Sequence, residues 1–128
     1  MLLTPLHPAP ALATTTLHRV PKGWGHELWI VNKDYCGKLL HLLAGKRCSW
    51  HYHRQKDEVF FLQSGRVRIF FSAGDDRASA SSVLLLPGMA FAVPTGLRHQ
   101  IVAEEESDLF EFSTHHEDED SIRIEPGD

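Results

Sequence analysis

Apolar and polar residues alternate along this chain in short runs divided by turn-forming residues. No stretch carries a helical period for more than a turn or two. The runs predict strands at 26–31, 38–43, 47–53, 58–63, 67–71, 83–86, 89–93, 98–103, 108–113 and 121–124. The 38–43 run is apolar on both faces, and in 108–113 Phe110 and Phe112 set an apolar face against Glu111. Residues 19–25 read as a turn-rich lead-in. Pro87-Gly88 and Pro94-Thr95-Gly96 are turns, and 72–82 is a polar loop. Many short strands with regular turns predict an all-β sandwich or barrel.

The stretch from Gly45 to Gly65 carries the densest chemistry. A polar run, 54–57, separates two strand-like runs and reads as the loop of a hairpin. Residues two apart on a strand share a face, so His51 and His53 point the same way. A loop at 54–57 sets His53 opposite Glu58, with Cβ atoms about 5 Å apart, and Phe60 opposite His51. With His99 from a later strand, these side chains read as one metal site. Imidazole and carboxylate suit one divalent transition metal: Zn, Mn, Fe, Ni or Co. The alternative is a buried polar cluster without metal, in which every buried atom needs another partner.

Ser64-Gly65 reads as a second hairpin turn that sets Val67, Ile69 and Phe71 on the ligand face and Arg66 and Arg68 on the other. Phe60 and Ile69 then belong to an apolar wall suited to a substrate. Arg47 shares the parity of His51 and His53. It either reaches the cavity mouth to bind a phosphate or carboxylate, or is exposed. Cys48 has the opposite parity and is not proposed as a ligand. On the other face of the expected hairpin, Trp50 and Tyr52 oppose Phe61 and Val59. Such a patch is covered either by another element of the chain or by a second copy. The second copy is favoured, as a homodimer through Trp50, Tyr52, Val59 and Phe61.

The 128 residues suit one domain over 18–128, preceded by a flexible arm over 1–17 that holds Pro5, Pro8, Pro10 and three consecutive threonines. The net charge of −4 is uneven: residues 1–103 hold twelve Lys and Arg against six Asp and Glu, and residues 104–128 hold one against eleven. A mildly basic body favours an anionic small ligand or is simply solvated. No concentrated basic run suggests nucleic acid, and no run suggests a membrane span. Two cysteines do not make a disulfide framework, and no Lys or Arg precedes Arg19, so a cytoplasmic protein without a secretory signal is expected.

Gly45, His51, His53, Glu58 and Gly65 match G-x5-H-x-H-x4-E-x6-G, and Gly88, Pro94, Gly96 and His99 match G-x5-P-x-G-x2-H. These are the two cupin motifs, and the chain resembles the cupin superfamily across residues 45–103. The usual final Asn of the second motif is Ala103 here, a position that is not a ligand. The resemblance implies a double-stranded β-helix, or jelly-roll, with His51, His53, Glu58 and His99 as metal ligands. Lys22-Gly23-Trp24-Gly25-His26-Glu27-Leu28-Trp29 and the closing Asp120-Ser121-Ile122-Arg123 are similar to sugar-phosphate cupins of the type II mannose-6-phosphate isomerase kind. This implies a small-molecule ligand, a sugar or sugar phosphate, that the protein binds or isomerises, with Glu27 as the candidate base. Fe(II)-dependent oxygen chemistry and non-catalytic, metal-dependent binding are the alternatives.

Overall fold

The computed structural model describes Thr14 and residues 16–128. The expected 1–17 arm therefore lies almost wholly outside the described residues. Among the described residues, eleven strands form two antiparallel sheets. They are β1 (His18–Lys22), β2 (Gly25–Asn32), β3 (Tyr35–Leu42), β4 (Trp50–His53), β5 (Glu58–Ser64), β6 (Val67–Ser72), β7 (Ser81–Leu85), β8 (Ala90–Val93), β9 (Arg98–Ala103), β10 (Ser107–Thr114) and β11 (Ser121–Glu125). One sheet runs β1-β2-β3-β10-β5-β8 and the other β11-β4-β9-β6-β7. Two three-residue helical turns, Arg77–Ser79 and Asp118–Asp120, are the helical elements among the described residues. The fold is the expected all-β jelly roll, and no helix among the described residues is long and apolar enough to cross a membrane.

Neither expected hairpin forms. β4 pairs with β9 and β11, whereas β5 pairs with β10 and β8, so the chain crosses from one sheet to the other at 54–57. The Asp120 carboxylate organises that crossing. It accepts the backbone N–H groups of Arg54, Gln55 and Lys56 at 3.0, 2.9 and 2.9 Å. Asp57 and Thr114 add two more bonds. Three donors that a tight hairpin would leave to solvent are thus satisfied by a residue far along the chain. The chain crosses back at Gly65, where φ is 90° and the backbone lies against Ser107. A side chain there would meet both the positive φ and that contact.

The proposed dimer patch is therefore corrected: Trp50 and Tyr52 lie on one sheet, and Val59 and Phe61 on the other. Trp50 is fully buried behind the loop after β6. Its indole donates to Asp75 O at 2.8 Å, and Arg77 packs over Phe70 beside it. Arg98 stacks on Tyr52 at 3.7 Å and donates to Asp75. The chain covers this face itself.

Residues 19–25 are also not simply a lead-in. β1 pairs with β2, ending at Lys22↔Gly25. Pro21 hid this strand, but β1 is an edge, where a missing donor is tolerated. In β10 the faces are inverted from expectation: Glu111 is buried, while Phe112 is 54% exposed. Between the sheets, Leu42, Leu62, Val67, Ile69, Leu85 and Leu109 fill one part of the interior. A polar cavity occupies another.

Candidate metal centre

His51 and His99 are direct cross-strand partners on β4 and β9. His53, two residues on from His51, joins them on the inner face of the five-stranded sheet. The three imidazoles offer ligand atoms within 4.8 Å of one another, with ring centroids 4.4 to 5.5 Å apart. Glu58 opens β5 on the facing sheet. It reaches across the interior to place Oε1 2.9 Å from His99 Nε2 and Oε2 3.7 Å from His53 Nε2.

Outer contacts orient the rings. Nδ1 of His99 donates to Leu97 O at 2.9 Å, and Nδ1 of His51 donates to Ser49 O at 3.0 Å. A carbonyl oxygen only accepts, so the proton sits on Nδ1 and the Nε2 lone pair is free. His53 Nδ1 lies 3.4 Å from Ser121 Oγ. Burial, then the neighbouring histidines, hold His51 well below the usual imidazole range. Burial above all brings His53 to about 4. Burial alone would raise the Glu58 carboxyl, but the Lys56 ammonium 3.0 Å away opposes this and holds it below the ordinary range. His53 Nε2, His99 Nε2 and Glu58 Oε1 are buried without a hydrogen bond, and Glu58 Oε2 has the Lys56 ammonium as its ion-pair partner at 3.0 Å. Unpartnered acceptors facing one another are costly, and a divalent cation relieves them all. The donor set fits such an ion.

The cavity measures about 510 Å³, within the range for a small-molecule site. Phe60 lines it, and its ring centroid stands 6.0 Å from that of His99. Ile69 does not: it is fully buried in the apolar core. Arg47 is exposed and away from the cavity, its backbone bonded to Asp128. The parity that placed it inward fails because the chain is irregular just before β4. Cys48 and Ser49 both line the cavity instead. Burial pushes the Cys48 thiol far up, which leaves it an unreactive wall residue.

Glu27 lines the cavity, but its Oε1 accepts from Trp29 Nε1 at 2.8 Å and from Lys38 Nζ at 3.2 Å. Burial would raise its carboxyl, yet Lys38 and these bonds hold it below the ordinary range. Glu27 is thus an ionised acceptor and a weak base. Sequence reasoning missed a second buried network. Lys56 Nζ donates to Glu111 Oε2 at 2.9 Å and to His116 Nδ1 at 3.1 Å, and stands 3.0 Å from Glu58 Oε2. The available signals were a lysine beside the motif glutamate and an acid alternating with phenylalanines.

A family model described as Cupin matches residues 45–124, more than half of the chain. No curated protein matches it. Among solved structures, the capsular polysaccharide assembling protein CapF from Staphylococcus aureus is similar at 16% identity and TM-score 0.75, over 88% of this chain and 35% of its own. Oxalate decarboxylase from Bacillus subtilis is similar at 17% identity and TM-score 0.70, over 84% of this chain and 30% of its own. KdgF from Halomonas sp. is similar at 18% identity and TM-score 0.68, over 82% of this chain and 90% of its own. The chain spans about a third of the CapF and oxalate decarboxylase chains. At these identities the likeness is one of fold. The chain belongs to the cupin family.

Proposed function

We propose that His51, His53, Glu58 and His99 hold one divalent transition metal, and that the cavity around it binds or processes a sugar or sugar phosphate in the manner of mannose-6-phosphate isomerase. Three buried acceptors that face one another without hydrogen bonds, His53 Nε2, His99 Nε2 and Glu58 Oε1, carry this reading. A bound metal supplies Lewis acidity toward substrate oxygens. The chain's own contribution is positional. Glu27, ionised and fixed by Trp29 and Lys38, accepts from ligand hydroxyls, and Phe60 and Trp24 wall off water. CapF is a capsular polysaccharide assembling protein, which supports a carbohydrate-related ligand.

Metal-dependent binding without turnover is the second reading. One observation supports it: two candidate proton-transfer groups near the ligands are already engaged, Lys56 with Glu111 and His116, and His116 with Asp118. Incubating metal-replete protein with mannose 6-phosphate and following the products by NMR separates the two readings. An aldose–ketose interconversion supports the isomerase. Saturable binding without product supports the binding module.

Self-association belongs to this proposal, but through the outer face of the six-stranded sheet. There Phe110 pairs across strands with Phe61 and Leu39, and Phe112 with Val59. The two buried, unpaired cysteines, Cys36 and Cys48, support a reducing compartment such as the cytoplasm.

A further inference from the structure

Arg123 on β11 is the direct cross-strand partner of His51. Its side chain therefore leaves the sheet on the same face as that imidazole, and it lines the same cavity. Lys22, from the far edge of the six-stranded sheet, lines the cavity as well. Neither is ion-paired among the described residues, and Arg123 is exposed while Lys22 is half-buried. Arg123 thus stands beside a metal ligand and Lys22 faces the same cavity, both without an ion-pair partner among the described residues.

The remaining charges that line the cavity are largely matched. Lys38 is paired with Glu27, and Lys56 stands between Glu58 and Glu111. Asp118 is bonded to His116. With the carboxylates ionised and the histidines neutral, the four cations Lys22, Lys38, Lys56 and Arg123 equal the four acids Glu27, Glu58, Glu111 and Asp118. The protein groups alone sum to zero. A divalent ion on His51, His53, Glu58 and His99 then leaves two positive charges in a partly enclosed space, where Coulomb energies exceed those in water.

We propose that this cavity takes its metal together with an anionic sugar, and that Arg123 and Lys22 hold the ligand's phosphate or carboxylate at the mouth beside His51. Arginine's planar fork suits both anions bidentately, and lysine adds a point charge. The proposal rests on the metal reading above and specifies its ligand class. It also gives Arg123 the role that parity had offered to Arg47. Linkage makes the effect reciprocal: metal tightens the anionic sugar, and the anionic sugar tightens the metal by the same factor.

Isothermal titration tests this with glucose 6-phosphate, glucuronate and neutral glucose, on Co²⁺-loaded and metal-stripped protein. At least one anionic sugar is expected to bind the loaded form ten-fold or more tightly than the stripped form, and the stronger of the two identifies the anion. Glucose should show no such gain. Arg123→Gln and Lys22→Gln should each reduce the gain, and the double variant should abolish it, while Co²⁺ uptake per chain matches wild type. Equal affinity of loaded and stripped protein overturns the coupling and leaves the metal site standing. So does failure of both anions to bind, or a gain that survives in the double variant. A protein that takes up no Co²⁺ overturns the metal reading itself and the coupling with it.

Discussion

Lys56 Nζ donates to Glu111 Oε2 across 2.9 Å inside the fold, 3.0 Å from Glu58 Oε2. Both ends are nearly inaccessible: Lys56 is 3% exposed and Glu111 5%. Burial would strip the lysine's proton, but the two carboxylates outweigh it and keep the ammonium charged. Removing one partner of such a pair leaves an uncompensated buried charge, at a cost of about 3–5 kcal/mol. Lys56→Met should lower unfolding stability by that order in urea titration of the metal-stripped protein. A loss below about 1 kcal/mol would show that the network does not constrain the fold.

The turn between β4 and β5 depends on Asp120, whose carboxylate satisfies three backbone donors. Asp120→Ala leaves those N–H groups to water or unpaired. The expected loss is about 1–3 kcal/mol. Chemical denaturation of the variant beside Asp34→Ala, an exposed acid for which no such network is seen, provides the comparison. Equal small losses would remove Asp120 from this role.

His41 on β3 faces Asp108 at 2.7 Å and Glu106 at 3.1 Å, and stacks on His26. The hydrogen bond to Asp108, with the contact to Glu106, raises it above the ordinary imidazole value against the opposing effect of burial. A raised folded value means that the stability it gives is fully present below about pH 6.5 and is lost as pH rises through the folded value. The pair is partly solvated, so the gain stays below about 1 kcal/mol. Thermal unfolding of wild type and His41→Gln should differ most near pH 5.5 and converge by pH 9. A difference that grows with pH would contradict the assignment.

The outer face of the six-stranded sheet exposes Phe112 by 54% and Val59 by 38%, on adjacent strands. If two copies meet there, Phe112→Glu should weaken self-association about ten-fold or more in sedimentation velocity, without loss of fold. A concentration-independent monomer in the wild type would remove the dimer altogether.

Much of the strand content was legible because period-two alternation is a local property. The same parity put His51 and His53 on one face. What it lacked was the partner of each strand. The 54–57 run looks like a hairpin loop, yet its backbone donors are taken by Asp120, which lies more than sixty residues away. Parity also assumes an unbroken strand. The irregular chain before β4 turned Arg47 outward and Cys48 inward, so the arginine beside His51 is Arg123, reached through β11. Glu111 read as a solvent-facing acid because Lys56, its compensating charge, sits in what looked like a polar loop.

Elemental mass spectrometry of untagged protein measures the metal centre most directly, on wild type and on His51→Ala/His53→Ala after reconstitution. Near one divalent transition metal per chain in the wild type, lost in the double variant, is the expected result. No metal in reconstituted wild type, or equal metal in both proteins, would contradict a centre built on His51, His53, Glu58 and His99.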